Sequence, residues 1–292
     1  MNLYHYCSNA TFLSIVSTRT VWASGLSLSN DAMEGRWIRN IFSDYCDERK
    51  LHPNEREQLL STLDTLTRIL IFGGFCMSAK ADLLSQWRGY ADNGAGVCIG
   101  FSKDYLADLG DWNYKSGGVH AHLAQVIYEP DQQKALIATD AEELFTLIAK
   151  GALRTPSLLS METPTEEEER KANYMRLSTR LLTLFPHIYK LKNPAFREEE
   201  EWRLISMMLV SSDTENKGPK SSGIYVHEAE FRATSDRIVP YRAIPLEQLS
   251  RTAINEVIVG PRNLTPDVVV EAGLLRHGWQ GTQVRRSSAS YR

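Results

Sequence analysis

Cysteine is scarce in this chain. Four occur in 292 residues, Cys7, Cys46, Cys76 and Cys98. No Cys-x-x-Cys is present and no histidine stands near a cysteine at zinc spacing. A disulfide framework and a zinc site are therefore both unexpected, and the thiols read as reduced. A surplus of one charge is also lacking: 33 Lys and Arg against 36 Asp and Glu leave a formal net charge of −3. That balance does not suit a nucleic-acid coat or a basic membrane surface. The longest apolar run, residues 69–77, is too short to span a bilayer. The first residues, Met-Asn-Leu-Tyr-His-Tyr, lack the basic-then-apolar order of a secretion signal. The expectation is a soluble, cytoplasmic chain without membrane contact. Repeats, low-complexity tracts and interdomain linkers are absent as well, and nothing in the sequence sets an oligomeric state.

What is present is an ordinary globular composition, 42 % apolar and 24 % charged, long enough to bury a substantial core. Short strands are expected at residues 3–6, 20–23, 75–78 and 97–101, with a helix at 11–17 and another running from the Asn30–Asp31 loop past Tyr45. Pro53 opens a helix whose Leu59, Leu63, Leu66 and Leu70 share a face. Asp82 to Ala91 reads as a helix with Trp87 and Tyr90 on one side, stopped by Asn93-Gly94. Gly100 leaves room in its strand for another backbone or a ligand. A helix is expected over residues 133–153, with Ile137, Ala141, Leu144 and Ile148 as its stripe. Thr163-Pro164-Thr165-Glu166 begins another, running past Tyr174, Leu177 and Leu181. Residues 211–222 read as a hairpin loop, and strands at 223–232, 237–243 and 254–259 precede a helix starting at Thr265-Pro266 and a last strand at 282–286. Strands cluster at both ends and helices in the middle. The fold class is therefore α+β: one domain over residues 1–292, its mixed or antiparallel sheet built from N- and C-terminal strands, with a helical insertion at about 130–192.

The stretch that stands out is Phe196-Arg-Glu-Glu-Glu-Glu-Trp-Arg-Leu-Ile205. Glutamate is depleted in strands, yet four precede an apolar run. Read at period two, Glu199, Glu201 and Arg203 share one face and Glu200, Trp202 and Leu204 the other. Two carboxylates about 7 Å apart suit one group that binds or polarises a substrate and one that takes a proton. The plainer reading is an acidic turn before a core strand, with Arg203 paired to a neighbouring glutamate.

Several patterns recur in order: Leu3-Tyr-His-Tyr6, Leu28-Ser-Asn-Asp-Ala-Met-Glu34, Trp87-Arg-Gly-Tyr-Ala to Gly100-Phe101, the acidic strand, Glu256-Val-Ile-Val-Gly260 and the terminal Ser288-Ala-Ser-Tyr-Arg292. Together they resemble the bacterial family called domain of unknown function 2971, with Ala32 where a proline is usual. The layout is also similar to the ADP-ribosyltransferase fold. That likeness implies an NAD-dependent transferase, in a bacterial toxin or antiphage-defence setting, with the protein or nucleic-acid acceptor left open. It implies that His5 bonds the ribose or carboxamide of NAD and that Tyr90 stacks on nicotinamide. Tyr6, Asn30, Asp31 and Arg203 are the further cofactor contacts. Glu201 would be the catalytic glutamate, stabilising an oxocarbenium-like centre through the ribose 2′-OH, and Glu199 the general base.

Each of these residues has a structural alternative. His5 between two tyrosines also reads as a sheet residue, and Asn30, Asp31 and Glu34 as a helix cap. Trp87 and Tyr90 also read as core aromatics, and Arg88 and Arg203 as ion-pair partners. His120 with His122 lacks a third metal ligand. Two other functions stay open: a metal-dependent nuclease or hydrolase using Asp31, Glu34, Glu199 and Glu201, and a non-catalytic module that senses a nucleotide or a partner protein.

Overall fold

The structure is a computed structural model that describes residues 1–28, 37–69, 71–116, 121–155, 162–209, 227–234 and 236–289. In chain order, β1 (Asn2–Cys7) leads to α1 (Asn9–Thr18), whose N-cap Ser8 accepts a hydrogen bond from Thr11 N. Arg19, at φ 50°, turns the chain into β2 (Thr20–Gly25). Then come α2 (Trp37–Glu48), α3 (Pro53–Ile69), β3 (Ile71–Ser78) and α4 (Leu84–Tyr90). Asn93 and Gly94, both at positive φ, make the expected left-handed stop before β4 (Val97–Ser102). α5 (Lys103–Ser116), β5 (Ala121–Gln125), α6 (Pro130–Ala149) and α7 (Pro164–Ile188) follow. A 3-10 turn over Pro194–Glu199 delivers the chain to β6 (Glu201–Leu209). The last elements are β7 (His227–Glu228), β8 (Glu230–Ala233), β9 (Ile238–Pro245), β10 (Ile254–Val259), α8 (Asp267–Arg276) and β11 (Gln283–Arg286). The expected loop at 211–222 and the start of the strand expected at 223–232 lie outside the described residues, as do Leu70 and His120.

The chain divides into two compact units. The first, residues 1–25, 72–126 and 196–292, carries the sheet. Its strands run β11-β10-β4-β1-β3-β2-β9-β8, with β6 joined to β3, β5 and β7. β1 pairs antiparallel with β4 from Asn2–Ser102 to Cys7–Val97, and β2 pairs antiparallel with β9. β10 with β11 and β6 with β7 are parallel, so the sheet is mixed. One side buries Leu3, Val21, Phe75, Ile99, Phe101, Leu204, Ile244 and Val257 beneath apolar residues of α1, α5 and α8. The other side buries Tyr6, Cys98 and Ile258 with Trp87 of α4. The class is α+β, as the clustering of strand-like segments at the two ends implies.

The second unit, residues 26–71 and 127–195, is helical. The sequence places a helical insertion at about 130–192; the unit also takes in α2 and α3. The expected stripe of α6, Ile137, Ala141, Leu144 and Ile148, is fully buried. Trp37 Nε1 on α2 donates to Gln133 Oε1 on α6 at 2.8 Å, and Lys134 pairs with Glu48. Leu177 and Leu181 of α7 are buried, whereas Tyr174 is exposed.

Candidate functional site

β1 and β3 meet at a single pair, Tyr4 with Ser78, and then part. His5 lies where they part. Its Nδ1 is 2.8 Å from the Cys76 carbonyl oxygen, and its ring lies 4.2 Å from that of Phe75, tilted by 34°. A side chain thus takes a bond that the strand ladder would otherwise make. Burial pushes the imidazole pKa down from 6.5 to about 4, against the opposing effect of the bond to Cys76. The ring is therefore neutral at pH 7. Its Nδ1 must carry the proton to donate to a carbonyl, which leaves Nε2 as an acceptor.

The acidic stretch is built differently from the period-two reading. Glu199 ends the 3-10 turn, Glu200 is at φ 42°, and Glu201 is the first residue of β6. A left-handed residue between them breaks the alternation, so Glu199 and Glu201 do not share a strand face. The end of β3 holds this junction. Ser78 Oγ donates to Glu199 O at 2.6 Å and accepts from Lys80 N at 3.0 Å. Ala79 N donates to Glu200 O at 2.9 Å, and Lys80 pairs with the Glu200 carboxylate. Glu201 and Arg203 are both buried and bonded twice: Nε to Oε1 at 2.8 Å and Nη2 to Oε2 at 2.9 Å. This is the fork-on-carboxylate geometry that arginine is shaped for. β6 turns Trp202 and Leu204 toward the apolar cluster that contains Phe75, and turns Glu201 and Arg203 away from it. The single strand face expected to carry both Glu199 and Glu201 is not what this backbone builds. His5 bonds to Cys76 within β3, while Glu200, the residue before Glu201, accepts from Ala79 just past the end of that strand.

The other expected contacts fall in several places. Tyr6 is buried, packs edge-to-face on Trp87 at 5.0 Å, donates to Lys80 O and accepts from Leu83 N. Burial pushes its phenol pKa up, and its hydroxyl is committed to backbone groups. Trp87 is fully buried, while Tyr90 is 45 % exposed, so the two do not share one environment. Asn30, Asp31 and Glu34 lie outside the described residues. Among the described residues, no group of three or more His, Cys, Asp or Glu could hold a metal ion, and the four cysteines are free.

One polar centre escaped the sequence reading. Glu256 on β10 accepts from Tyr4 Oη at 2.8 Å, Asn2 Nδ2 at 3.0 Å and Arg285 Nε at 3.0 Å. Burial alone would raise its pKa, but the bonds from Tyr4, Asn2 and Arg285 outweigh it and hold the carboxylate ionised. Burial, and then the bond to Glu256, push Tyr4 up to about 12. The space at Gly100 is what admits this group: a Cβ there would stand 2.7 Å from Glu256 Cγ. The available signals were a glutamate inside Ile-Asn-Glu-Val-Ile-Val, where strands seldom carry one, and a glycine inside a paired strand. A surface groove of about 600 Å³ between α6 and α7, lined by Glu142, Met175, Arg176, Thr179 and Arg180 among others, holds none of the residues singled out from the sequence.

No helix among the described residues is long and apolar enough to cross a membrane. No curated protein and no solved structure matches the chain. Residues 86–204, which run from α4 through the buried Glu201–Arg203 pair, match the family described as Protein of unknown function (DUF2971), the family that the sequence resembles.

Proposed function

We propose that the chain is an NAD-binding enzyme of the ADP-ribosyltransferase type. His5 contacts the ribose or carboxamide through Nε2; the role of Glu201 as the catalytic carboxylate rests on the resemblance of the sequence alone, since Glu201 is turned away from the Phe75 cluster against which His5 lies. The observation that carries this reading is the state of His5: a neutral imidazole, fixed in tautomer by the Cys76 carbonyl, where two strands of the sheet part. A ring with an oriented acceptor suits a hydroxyl or amide donor. The ADP-ribosyltransferase type itself, and any toxin or antiphage setting, rest on the resemblance of the sequence.

The test is NAD⁺ binding by calorimetry, with NAD⁺ consumption followed in parallel, for the wild type and for His5→Asn. The asparagine amide can still donate to the Cys76 carbonyl but has no counterpart of Nε2. We expect the variant to melt near the wild type and to bind NAD⁺ on the order of tenfold more weakly, the worth of one hydrogen bond to a neutral partner. Binding without turnover in the wild type would leave a nucleotide-sensing module instead. No binding by the wild type, or equal binding by His5→Asn, would remove the reason for placing NAD here.

A further inference from the structure

Asp82, between β3 and α4, is at φ 62°, a left-handed conformation for a residue other than glycine. Its carboxylate gathers two distant parts of the chain. Trp87 Nε1 of α4 donates to Oδ1 at 2.8 Å. From the segment after β11, Ser287 Oγ donates to Oδ1, and Ser288 donates to Oδ2 twice, from N at 2.6 Å and from Oγ at 2.7 Å. Burial alone would raise the pKa of Asp82, but these bonds together lower it, so the group is charged at pH 7. The same segment lays Ala289 against the cluster of Tyr6, Trp87, Cys98 and Ile258.

This attachment has an unusual composition. The last ladder-like bond from the sheet is Ser287 N to Val259 O at 2.9 Å. Beyond it, among the described residues, the segment is held by polar bonds to one carboxylate and by the small apolar surface of one alanine. Little buried area and a few charge-assisted bonds describe an element that opens locally well before its domain unfolds. A single protonation, or a new negative charge beside Asp82, would remove most of what holds it.

We propose that residues 287–289 are a releasable latch: closed on Asp82 they fix α4 and cover the sheet face carrying Tyr6 and Cys98, and released they free both. The inference stands apart from any NAD chemistry. The cysteines supply the measurement. Cys98 is fully buried in the cluster against which Ala289 packs, Cys7 is buried on the opposite side of the same sheet, and Cys46 is buried in the helical unit. Iodoacetamide labelling resolved by peptide mass spectrometry would follow the three thiols separately in the full chain. Asp82→Asn should speed labelling of Cys98 on the order of tenfold, the effect of weakening one charged acceptor, with Cys7 and Cys46 unchanged. Ser288→Glu should act likewise by setting a second carboxylate against Asp82, and should add less in the Asp82→Asn background. Unchanged Cys98 labelling, or labelling that rises in step with Cys7, would overturn the latch, the second result because it reports unfolding of the whole sheet.

Discussion

At the scale of single residues, the buried Glu201–Arg203 pair changes what a substitution can report. The sequence suggests that Glu201→Gln keeps the fold, since the two side chains share a shape. In the structure both partners are buried and doubly bonded, so the neutral amide takes away the negative charge that two of the guanidinium bonds meet. Removing one partner of such a pair costs about 3–5 kcal/mol, whereas replacing both by neutral groups of similar size costs far less. We therefore expect Glu201→Gln to lower stability in urea unfolding by about that amount, and Glu201→Gln with Arg203→Met to recover most of the loss. Equal loss in the single and double variants would mean that the pair is not the reason. Loss of activity in Glu201→Gln alone is consequently no proof of catalysis, and for that reason the functional test rests on His5. The pairing of Arg203 with a neighbouring glutamate was legible in the sequence as the plainer alternative. The neutral state of His5 was not, because it comes from burial in the folded sheet, and its tautomer is fixed by Cys76, some seventy residues away along the chain.

At the scale of elements, what could be read was what local chemistry decides. Thr163-Pro164-Thr165-Glu166 was legible as a helix start, and α7 begins there with both halves of the capping box made. Thr163 Oγ1 accepts from Glu166 N at 3.3 Å, and Thr163 N donates to Glu166 Oε2 at 2.8 Å. Thr163→Ala removes the first bond and weakens the second, and should lower the stability of the helical unit by about 1 kcal/mol in thermal or urea unfolding. Thr165→Ala, one turn position away, should do little by comparison; equal effects would show that the cap is not responsible. α5 shows the opposite case. Its buried Tyr105, Leu106 and Leu109 and the bond from Tyr105 N to Ser102 Oγ are helix signals, but they follow strand β4 without any glycine or proline between them. With no breaker in the sequence, the boundary goes unseen. The acidic stretch failed for a related reason. Period two was extended across Glu200, and nothing in a run of four glutamates marks the residue that takes a positive φ.

At the scale of the molecule, the strand order decides which pieces can exist alone. β4, β1, β3 and β2 form a contiguous central block, flanked by β10 and β11 on one side and by β9 and β8 on the other, so N- and C-terminal strands share one sheet. The clustering of strands at both ends is reason enough to expect a shared sheet. It could not show that residues 26–71 join residues 127–195 in the helical unit, because that association depends on contacts such as Trp37 with Gln133, far apart in sequence. A cut within residues 156–161 separates β1–β5 from β6–β11. The N-terminal piece loses β9 from β2, β10 from β4 and β6 from β5; the C-terminal piece keeps β10, β11, β8 and β9 without the central strands that join them. Both pieces would expose long unpaired strand edges and the apolar face that Leu3, Phe101, Leu204 and Val257 close together. We expect each half, expressed alone, to lack a cooperative unfolding transition, and the two co-expressed to recover one if the edges find each other before they aggregate. Circular dichroism melts of the separate halves measure this. A sharp transition in either half alone would mean that its strands form a sufficient core without the other, contrary to a sheet whose flanks and centre come from different halves.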